Sequence, residues 1–278
     1  MHYLDRCRAA IGTGAQTNDA FRSEVAEFAK HGVTSFRSSQ TESLAKGIAQ
    51  RIAENEAAGR DTWITQKSDD NIDAYAGDVW MDFPEVRDLL RGPIGSFLAS
   101  YYATHVKYYF GSCYRSKRRS NLPAGSQLWH SDSGPGICTN VMVYLTDVGA
   151  HDGPLQVLPW HASLPIFLRQ PGAMRSRLSD SEQPLDKIAQ REILCRYHEE
   201  QINAGLSDQV RTMTGPAGTV IPFFNNSLHR GGFPDTGHSR IAIVFHCYPS
   251  HRPTNWAHYD TAGLTKRGSY PSDPAEDF

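Results

Sequence analysis

The sequence of 278 residues is 39% hydrophobic and 21% charged, proportions that are ordinary for a folded globular protein. Because the formal net charge is only -2, we expect neither nucleic acid nor an anionic membrane surface as a partner. Five scattered cysteines form no C-x-x-C pair, we expect no secretion signal, and every apolar run is far shorter than the roughly 20 residues that cross a bilayer. These features predict a cytoplasmic protein with no membrane-spanning segment.

Helical patterns fill the first third of the chain, where apolar residues recur every three or four positions. A helix commonly starts at a capping side chain, and glycine or proline commonly ends it. Three helices are predicted: one that begins after Thr17 or Asn18 and stops at Gly32, one over 41–59, and one over 84–103 that is broken near Gly92-Pro93.

From about residue 105 the pattern changes to short β-branched and aromatic runs separated by turn residues, which is typical of antiparallel strands. Strands are predicted over 106–116, 126–132, 139–147, 154–159, 218–228 and 239–248. Residues 164–212 interrupt this series, and their pattern indicates a helical insertion that ends near Gly205. We expect one domain over 1–278, with a helical part over about 1–104 and a β-barrel core over about 105–250.

The most informative segment is Gln127-Leu-Trp-His130-Ser-Asp132. Residues two apart on a strand project from the same face, so His130 and Asp132 could hold one metal ion. By the same alternation, Trp129 should point away from the metal and pack in the core. A His-x-Asp pair alone has a high false-positive rate, so the assignment depends on further residues.

Two residues farther along the chain complete a possible site. His229 ends the run Pro222-Phe-Phe-Asn-Asn-Ser-Leu-His229, and Arg240 follows eleven positions later. Two imidazoles and one carboxylate on one side of a metal form the facial triad of non-haem iron(II) oxygenases, which leaves positions open for cosubstrate and dioxygen. A guanidinium at Arg240 could bind a carboxylate with two parallel hydrogen bonds.

These residues resemble the phytanoyl-CoA dioxygenase family of iron(II)- and 2-oxoglutarate-dependent oxygenases, which has a His-x-Asp pair, a distal histidine and a later arginine in this order. The similarity extends from 28–33 through 144–148 and 153–161 to 240–245. Two departures are Trp160-His161 in place of Gly-Ser-His, and Gly218-Thr219 in place of Gly-Asp. The first of these could reshape the mouth of the pocket.

The resemblance implies a mainly β fold with flanking α-helices, whose core is a double-stranded β-helix, the jelly roll also found in cupins. It implies that His130, Asp132 and His229 bind Fe(II), that Arg240 binds the distal carboxylate of the cosubstrate 2-oxoglutarate, and that Gln127 lies against that cosubstrate. Dioxygen would be the oxidant, with ascorbate as an additive in vitro. The expected reaction is hydroxylation of an unactivated C–H bond of a small molecule, coupled to decarboxylation of 2-oxoglutarate to succinate.

Other functions stay open at this point. A cupin-like hydrolase or isomerase could use the same barrel and a zinc ion without redox chemistry, and an inactive member could serve as a binding module. The substrate could be a carboxylate, a coenzyme A thioester or a natural product, and desaturation, epoxidation or cyclisation would use the same ligands. The sequence does not predict an oligomeric state.

Several other polar residues need an interpretation. His151-Asp152 is predicted to lie in a solvated loop, and His246, His251 and His258 are predicted to be core or surface residues. Asn225 and Ser227 should face the cavity if the strand before His229 stays regular. The basic run 115–119 is interpreted as a solvated loop, with recognition of an anionic substrate group as the alternative.

Overall fold

The computed structural model describes residue 5 and residues 19–66, 69–132, 138–179 and 186–264. Within these residues the chain forms two antiparallel β-sheets flanked by α-helices. The larger sheet has six strands in the order β1 (Trp63–Gln66), β2 (Asp69–Tyr75), β3 (His105–Lys117), β9 (Ser239–Ser250), β4 (Thr139–Tyr144) and β7 (Val220–Phe224). The smaller sheet has three strands in the order β6 (Arg211–Met213), β5 (Leu155–Val157) and β8 (His229–Gly231).

Strand β9 is central to the larger sheet. It pairs with β3 from His105 opposite Ser250 to Lys117 opposite Ser239, and it pairs with β4 on its other edge. Apolar side chains of β4, β5, β7 and β9 form one cluster between the two sheets. The two facing antiparallel sheets confirm the predicted jelly-roll core with flanking helices.

Helices flank this core. In chain order they are α1 (Arg22–His31), α2 (Ser39–Ala57), α3 (Val79–Asp82), α4 (Pro84–Arg91), α5 (Pro93–Tyr102), α6 (Trp160–Ser179), α7 (Lys187–Asn203) and α8 (Trp256–Ala262). In the part of the chain that the structure describes, no helix combines the length and the apolar character that crossing a bilayer demands.

The predicted helices are confirmed with small shifts. Helix α1 ends at Gly32, which has a left-handed φ of 71°, and the proposed caps Thr17 and Asn18 lie outside the described residues. Helix α2 begins two residues earlier than predicted because the Ser38 hydroxyl accepts a hydrogen bond from the Thr41 amide. The third helix is divided at Gly92. The helical insertion predicted over 164–212 contains α7, whereas α6 begins four residues before it, at Trp160.

Two clusters outside the sheets hold the helices. Helices α1 to α5 pack on the outer face of the larger sheet, where Phe28 and Phe97 meet edge to face 5.6 Å apart. Helices α6 and α7 pack over a separate cluster that includes Trp129 and Leu228. Trp129 is therefore a packing residue, as predicted, and it lies directly beside the segment that carries His130.

Two predicted strands are wrong in detail. Residues 126–132 do not form a regular strand, because a tight turn over Gly125–Gln127 precedes an extended segment that forms only an isolated bridge, between His130 and His229. The strand predicted over 218–228 ends at Phe224, and a turn separates it from β8. Asn and Ser at 225–227 favour this turn over a continuous strand.

The hairpin of β1 and β2 has no counterpart in the predictions, because its Asp, Asn and Gln residues are unfavourable in strands. It is anchored by Asp73, which is 1% exposed and pairs with Arg115 at 3.0 Å and Arg119 at 2.6 Å. Lys117 lies 3.5 Å from the same carboxylate. The interpretation of 115–119 as a solvated loop is therefore wrong: three of its basic side chains surround a buried carboxylate.

Candidate metal centre

Backbone pairing brings the three candidate metal ligands together. The amides of His130 and His229 each donate to the other's carbonyl oxygen, at 3.0 and 2.9 Å. The Asp132 amide donates to the Asn225 carbonyl in the turn before β8, at 2.9 Å. The extended segment thus keeps His130 and Asp132 on one side even though it is not a regular strand.

The side chains of His130, Asp132 and His229 form a group in which one possible ligand atom from each lies within 4.8 Å of the others. The Nε2 atoms of His130 and His229 are 3.9 and 3.7 Å from the two oxygens of Asp132. These separations are too long for good hydrogen bonds. They leave room for an ion among the three groups.

Each imidazole is oriented by a backbone carbonyl. Nδ1 of His130 lies 2.7 Å from the Leu128 carbonyl oxygen, and Nδ1 of His229 lies 2.8 Å from that of Ser227. Because a carbonyl only accepts, each Nδ1 carries the proton and donates it. Each Nε2 therefore presents its lone pair to the centre, as a metal ligand must.

The electrostatic surroundings of His130 and Asp132 favour a neutral imidazole and an ionised carboxylate. Burial, together with His229, lowers the pKa of His130 to about 3 despite the nearby Asp132 carboxylate. Burial acts to raise the pKa of Asp132, but His229, His130 and a hydrogen bond from Asn140 outweigh it and hold that pKa below its ordinary value. A neutral His130 and an ionised Asp132 at neutral pH are the forms that bind a divalent cation.

The three side chains open onto a cavity of about 280 Å³ between the two sheets. Every second residue of β9 lines it, namely Arg240, Ala242, Val244 and His246. His246 is buried, in agreement with the predicted core or surface role, and it also lines this cavity. Its even spacing from Arg240 was the sequence signal that could have placed it here.

Asn140, on β4 directly opposite His246, was not identified from the sequence. Its Nδ2 donates to Asp132 Oδ2 at 2.7 Å, and it also lines the cavity. Asn140 therefore fixes the orientation of the carboxylate between the two histidines.

Arg240 is buried in the wall of the same cavity. Its guanidinium donates to the Gly153 carbonyl and is hydrogen-bonded to Tyr144. Nη2 lies 3.0 Å from the position that a Cβ on Gly231 would occupy, so the absence of a side chain at Gly231 makes space for it. A rigid cation therefore faces the cavity beside β8.

Gln127 lies behind the cavity wall. Its Oε1 accepts from Asn71 at 3.2 Å, and its Nε2 donates to the Ser116 hydroxyl at 3.3 Å. Ser116 lines the cavity, whereas Gln127 is not among the described residues that do so. A direct contact between Gln127 and a cosubstrate remains a prediction.

The other polar residues singled out from the sequence lie elsewhere. His151 is 70% exposed and pairs with Asp235, which confirms the solvated loop. His161 faces the His31 ring and is absent from the described residues that line the cavity. Asn225 and Ser227 are buried in the turn, also outside that lining, because the strand ends before them.

Comparison with known proteins gives a partial relative and a common fold. No family model matches the chain. It is 30% identical over 122 residues to the L-proline trans-4-hydroxylase of Streptomyces griseoviridis, and the match spans 42% of this chain and 43% of that relative. The chain therefore matches less than half of the length of this curated relative.

Solved structures match over most of the chain. The non-heme alpha ketoglutarate dependent carbocyclase SnoK from nogalamycin biosynthesis superposes with a TM-score of 0.58 at 17% identity, covering 95% of this chain and 96% of that one. Iron-bound EctD from S. alaskensis gives a TM-score of 0.52 at 17% identity, covering 89% and 83%. These similarities show a shared jelly-roll fold.

Proposed function

We propose that this chain is an iron(II)- and 2-oxoglutarate-dependent dioxygenase that hydroxylates a C–H bond of a small molecule. The observation that carries the proposal is the combination of a His–Asp–His group, poised to bind a cation, with the buried Arg240 in the same cavity. A cation site alone would suit many metal-dependent reactions. The second, positively charged position is what selects 2-oxoglutarate as the cosubstrate.

The spacing of the two positions supports this choice. His229 and Gly231 lie on the same side of β8, two residues or about 7 Å apart. The Arg240 guanidinium lies against Gly231, and the metal position lies at His229. A five-carbon dicarboxylate can reach from one to the other, with its keto acid end at the metal and its distal carboxylate at Arg240.

The roles of the residues follow from their positions. His130, Asp132 and His229 would hold Fe(II) on one side and leave its other side open to the cavity. Asn140 would orient Asp132, and the sheets would exclude bulk water. The bound iron supplies the oxidative chemistry, in which 2-oxoglutarate and dioxygen give succinate, carbon dioxide and a hydroxylated product.

The choice of hydroxylation is supported by the partial relative, which is named for hydroxylation of L-proline. Asp132 also favours it over halogenation, because a halogenase of this type needs a small residue at that position to free a site for halide. The resemblance to the phytanoyl-CoA dioxygenase family is consistent with these roles. The small cavity supports a small-molecule substrate.

Two further expectations belong to this proposal. We place the enzyme in the reducing cytoplasm, which is supported by free thiols at Cys113, Cys138, Cys195 and Cys247. We treat 1–278 as a single oxygenase domain, with 1–104 as its helical part, 105–250 as its barrel and 164–212 as its insertion. This division is supported by the cluster that helices α1 to α5 share with the larger sheet.

The test is succinate formation by the purified protein with Fe(II), ascorbate and 2-oxoglutarate, with and without oxygen. We expect slow, oxygen-dependent succinate formation even without substrate. His130→Ala and His229→Ala should abolish it and weaken iron(II) binding, whereas the surface variant His151→Ala should retain both. If the protein instead converts a substrate with zinc bound and without oxygen, it is a hydrolase or isomerase.

Arg240 gives a separate test of the cosubstrate. Loss of a charge-assisted pair of hydrogen bonds costs roughly 1.5–3 kcal/mol, so Arg240→Ala should weaken 2-oxoglutarate binding about 10- to 100-fold. Iron(II) affinity should change much less, because Arg240 does not contact the three ligands. An unchanged dissociation constant for 2-oxoglutarate would refute the role of Arg240.

A further inference from the structure

A second arginine lines the metal-centre cavity from the helical insertion. Arg191 lies in the second turn of α7, whose other residues pack over Trp129 and Leu228. It is exposed, and its guanidinium hydrogen-bonds the Cys195 thiol one helical turn away. It is close enough to His130 to contribute to the lowered pKa of that residue. Arg191 is therefore a cation at the open side of the cavity.

The acidic residues around Arg191 on α7 are already engaged. Glu192 pairs with Arg196 at 4.0 Å, and Glu199 pairs with Arg230 at 3.0 Å. Asp186 caps the helix by accepting from the Ala189 amide at 2.8 Å. Within the described ranges, no carboxylate forms an ion pair with Arg191.

The charges of the cavity leave Arg191 unbalanced. The acidic and arginine residues that line it in the described part of the chain are Asp132, Arg191 and Arg240. Fe(II) carries two positive charges and 2-oxoglutarate two negative ones, and Asp132 balances Arg240. One positive charge remains once metal and cosubstrate are bound, and Arg191 carries it.

We propose that Arg191 binds a carboxylate of the substrate, so that the substrate is a small carboxylic acid of amino-acid size. This inference rests on the proposed function and deepens it. A planar guanidinium matches a carboxylate with two hydrogen bonds. At about 280 Å³, the cavity lies just below the roughly 300–1,000 Å³ typical of ligand sites, and it must also hold 2-oxoglutarate. A coenzyme A thioester or a large natural product would have to extend out of the open side of the cavity.

The test is calorimetric binding without oxygen, with the protein saturated with Fe(II) and 2-oxoglutarate. The probes are the L-amino acids, L-proline included, and small cyclic carboxylic acids, each paired with its neutral primary amide. We expect at least one acid to bind, and its amide to bind at least about 10-fold more weakly. Each probe pair differs in the negative charge and in one hydrogen-bond acceptor, the two features that Arg191 would recognise.

Variants then test whether Arg191 causes the tighter binding of the acid than of its amide. Arg191→Gln should weaken binding of the acid about 10- to 100-fold, so that acid and amide bind with similar affinities. Arg191→Lys should restore part of the difference between the two affinities. The matched control is Arg196→Gln, which removes an exposed arginine of the same helix and should keep the wild-type preference. Thermal unfolding checks that each variant is folded.

The binding experiment distinguishes a failure of the Arg191 inference from a failure of the proposed function. If the protein binds Fe(II) and 2-oxoglutarate but no acid more tightly than its amide, the Arg191 inference is wrong while the proposed function stands. The Arg191 inference is also wrong if the Arg191→Gln variant still binds the acid more tightly than its amide. If neither Fe(II) nor 2-oxoglutarate binds, the proposed function is wrong and the inference fails with it.

Discussion

Hydrogen bonds orient the three candidate metal ligands. The carbonyl groups of Leu128 and Ser227 select the tautomer of the two histidines, and Asn140 orients the carboxylate. Such supporting contacts commonly contribute 10- to 100-fold to metal affinity. The candidate centre is therefore already organised for a metal ion.

Asn140 offers a direct test of this support. Asn140→Ala removes the hydrogen bond to Asp132 and should weaken Fe(II) binding about 10- to 100-fold under anaerobic titration. The matched control is Asn225→Ala, since Asn225 is also buried beside Asp132 but contacts it through the backbone carbonyl alone. Equal affinities for the Asn140 variant and the wild type would show that Asp132 needs no such support.

The candidate ligands were accessible to sequence reasoning because alternation and the order of the motifs restrict where they can lie. The partners of those ligands were not. Asn140 belongs to a strand 8 positions beyond Asp132, and only the pairing of β4 with β9 brings it beside His246. Arg191 reaches the cavity because the helical insertion packs against the barrel. The apolar pattern of the insertion predicts a helix but not which of its residues face the barrel.

At the scale of single elements, the hairpin of β1 and β2 shows how a buried charge can hold a strand. Asp73 accepts from Thr65 of the neighbouring strand and from two arginines of β3 and the residues after it. Burial acts to raise the pKa of Asp73, but hydrogen bonds from Arg119, Thr65 and Arg115 hold it below its ordinary value. The carboxylate is thus ionised in the folded protein at neutral pH.

Asp73→Asn should therefore destabilise the protein in a pH-dependent way. Removing one partner of a buried ion pair costs about 3–5 kcal/mol, and partial exposure of the arginines should reduce this to about 2–3 kcal/mol at pH 7. Because the folded pKa lies below the unfolded value of about 3.9, the contribution is complete above that pH and is lost as the pH falls through the folded pKa.

Urea unfolding of wild type and Asp73→Asn between pH 7 and pH 3 measures this difference. We expect the difference in the free energy of unfolding to shrink below about pH 4. Asp61→Asn, at an exposed carboxylate, serves as the control and should change stability by less than about 0.5 kcal/mol. A constant difference across the whole range would mean that the ion pairs at Asp73 do not stabilise the hairpin.

The contact between the turn before β7 and helix α2 gives a second test. Gly218 has φ of 87°, and a Cβ on it would lie 2.5 Å from the Glu42 amide nitrogen. Gly218→Ala should thus cost about 3 kcal/mol or more, because backbone strain of roughly 1 kcal/mol is added to a clash with the helix backbone. Thermal or urea unfolding gives this value.

Gly59 separates the two contributions. It has φ of 69° with nothing within 4 Å of a Cβ, so Gly59→Ala should cost only the backbone strain, about 1 kcal/mol. If both variants lose the same stability, the close approach of Gly218 to α2 is not a constraint on the fold.

For the whole molecule, the sequence was sufficient for the fold class but not for the connections within it. Apolar periodicity predicted the helices and the long strands β3 and β9, since these bury many apolar side chains. It could not predict the polar β1–β2 hairpin, which depends on Asp73 and distant arginines. It also could not divide 218–228 into β7, a turn and β8, because apolar residues lie on both sides of the turn.

The division of 218–228 into β7, a turn and β8 determines where the candidate metal centre lies. Strand β8 belongs to the smaller sheet, whereas β7 belongs to the larger one, so the turn between them carries the chain across the cavity. His229 thereby faces Arg240 and His246 of β9 from the opposite side. The two sheets enclose one cavity. Their packing brings together His229 as a candidate ligand, Arg240 as the proposed carboxylate clamp, and the space proposed for the substrate.

We propose that 2-oxoglutarate is oxidised by dioxygen at the centre formed by His130, Asp132 and His229. The most direct measurement is mass spectrometry of the succinate formed from 2-oxoglutarate by the Fe(II)-loaded protein under ¹⁸O₂. We expect one labelled oxygen atom in the succinate carboxylate, and no labelled succinate from His229→Ala. Succinate that forms without label, or label that persists in the His229 variant, would contradict the claim.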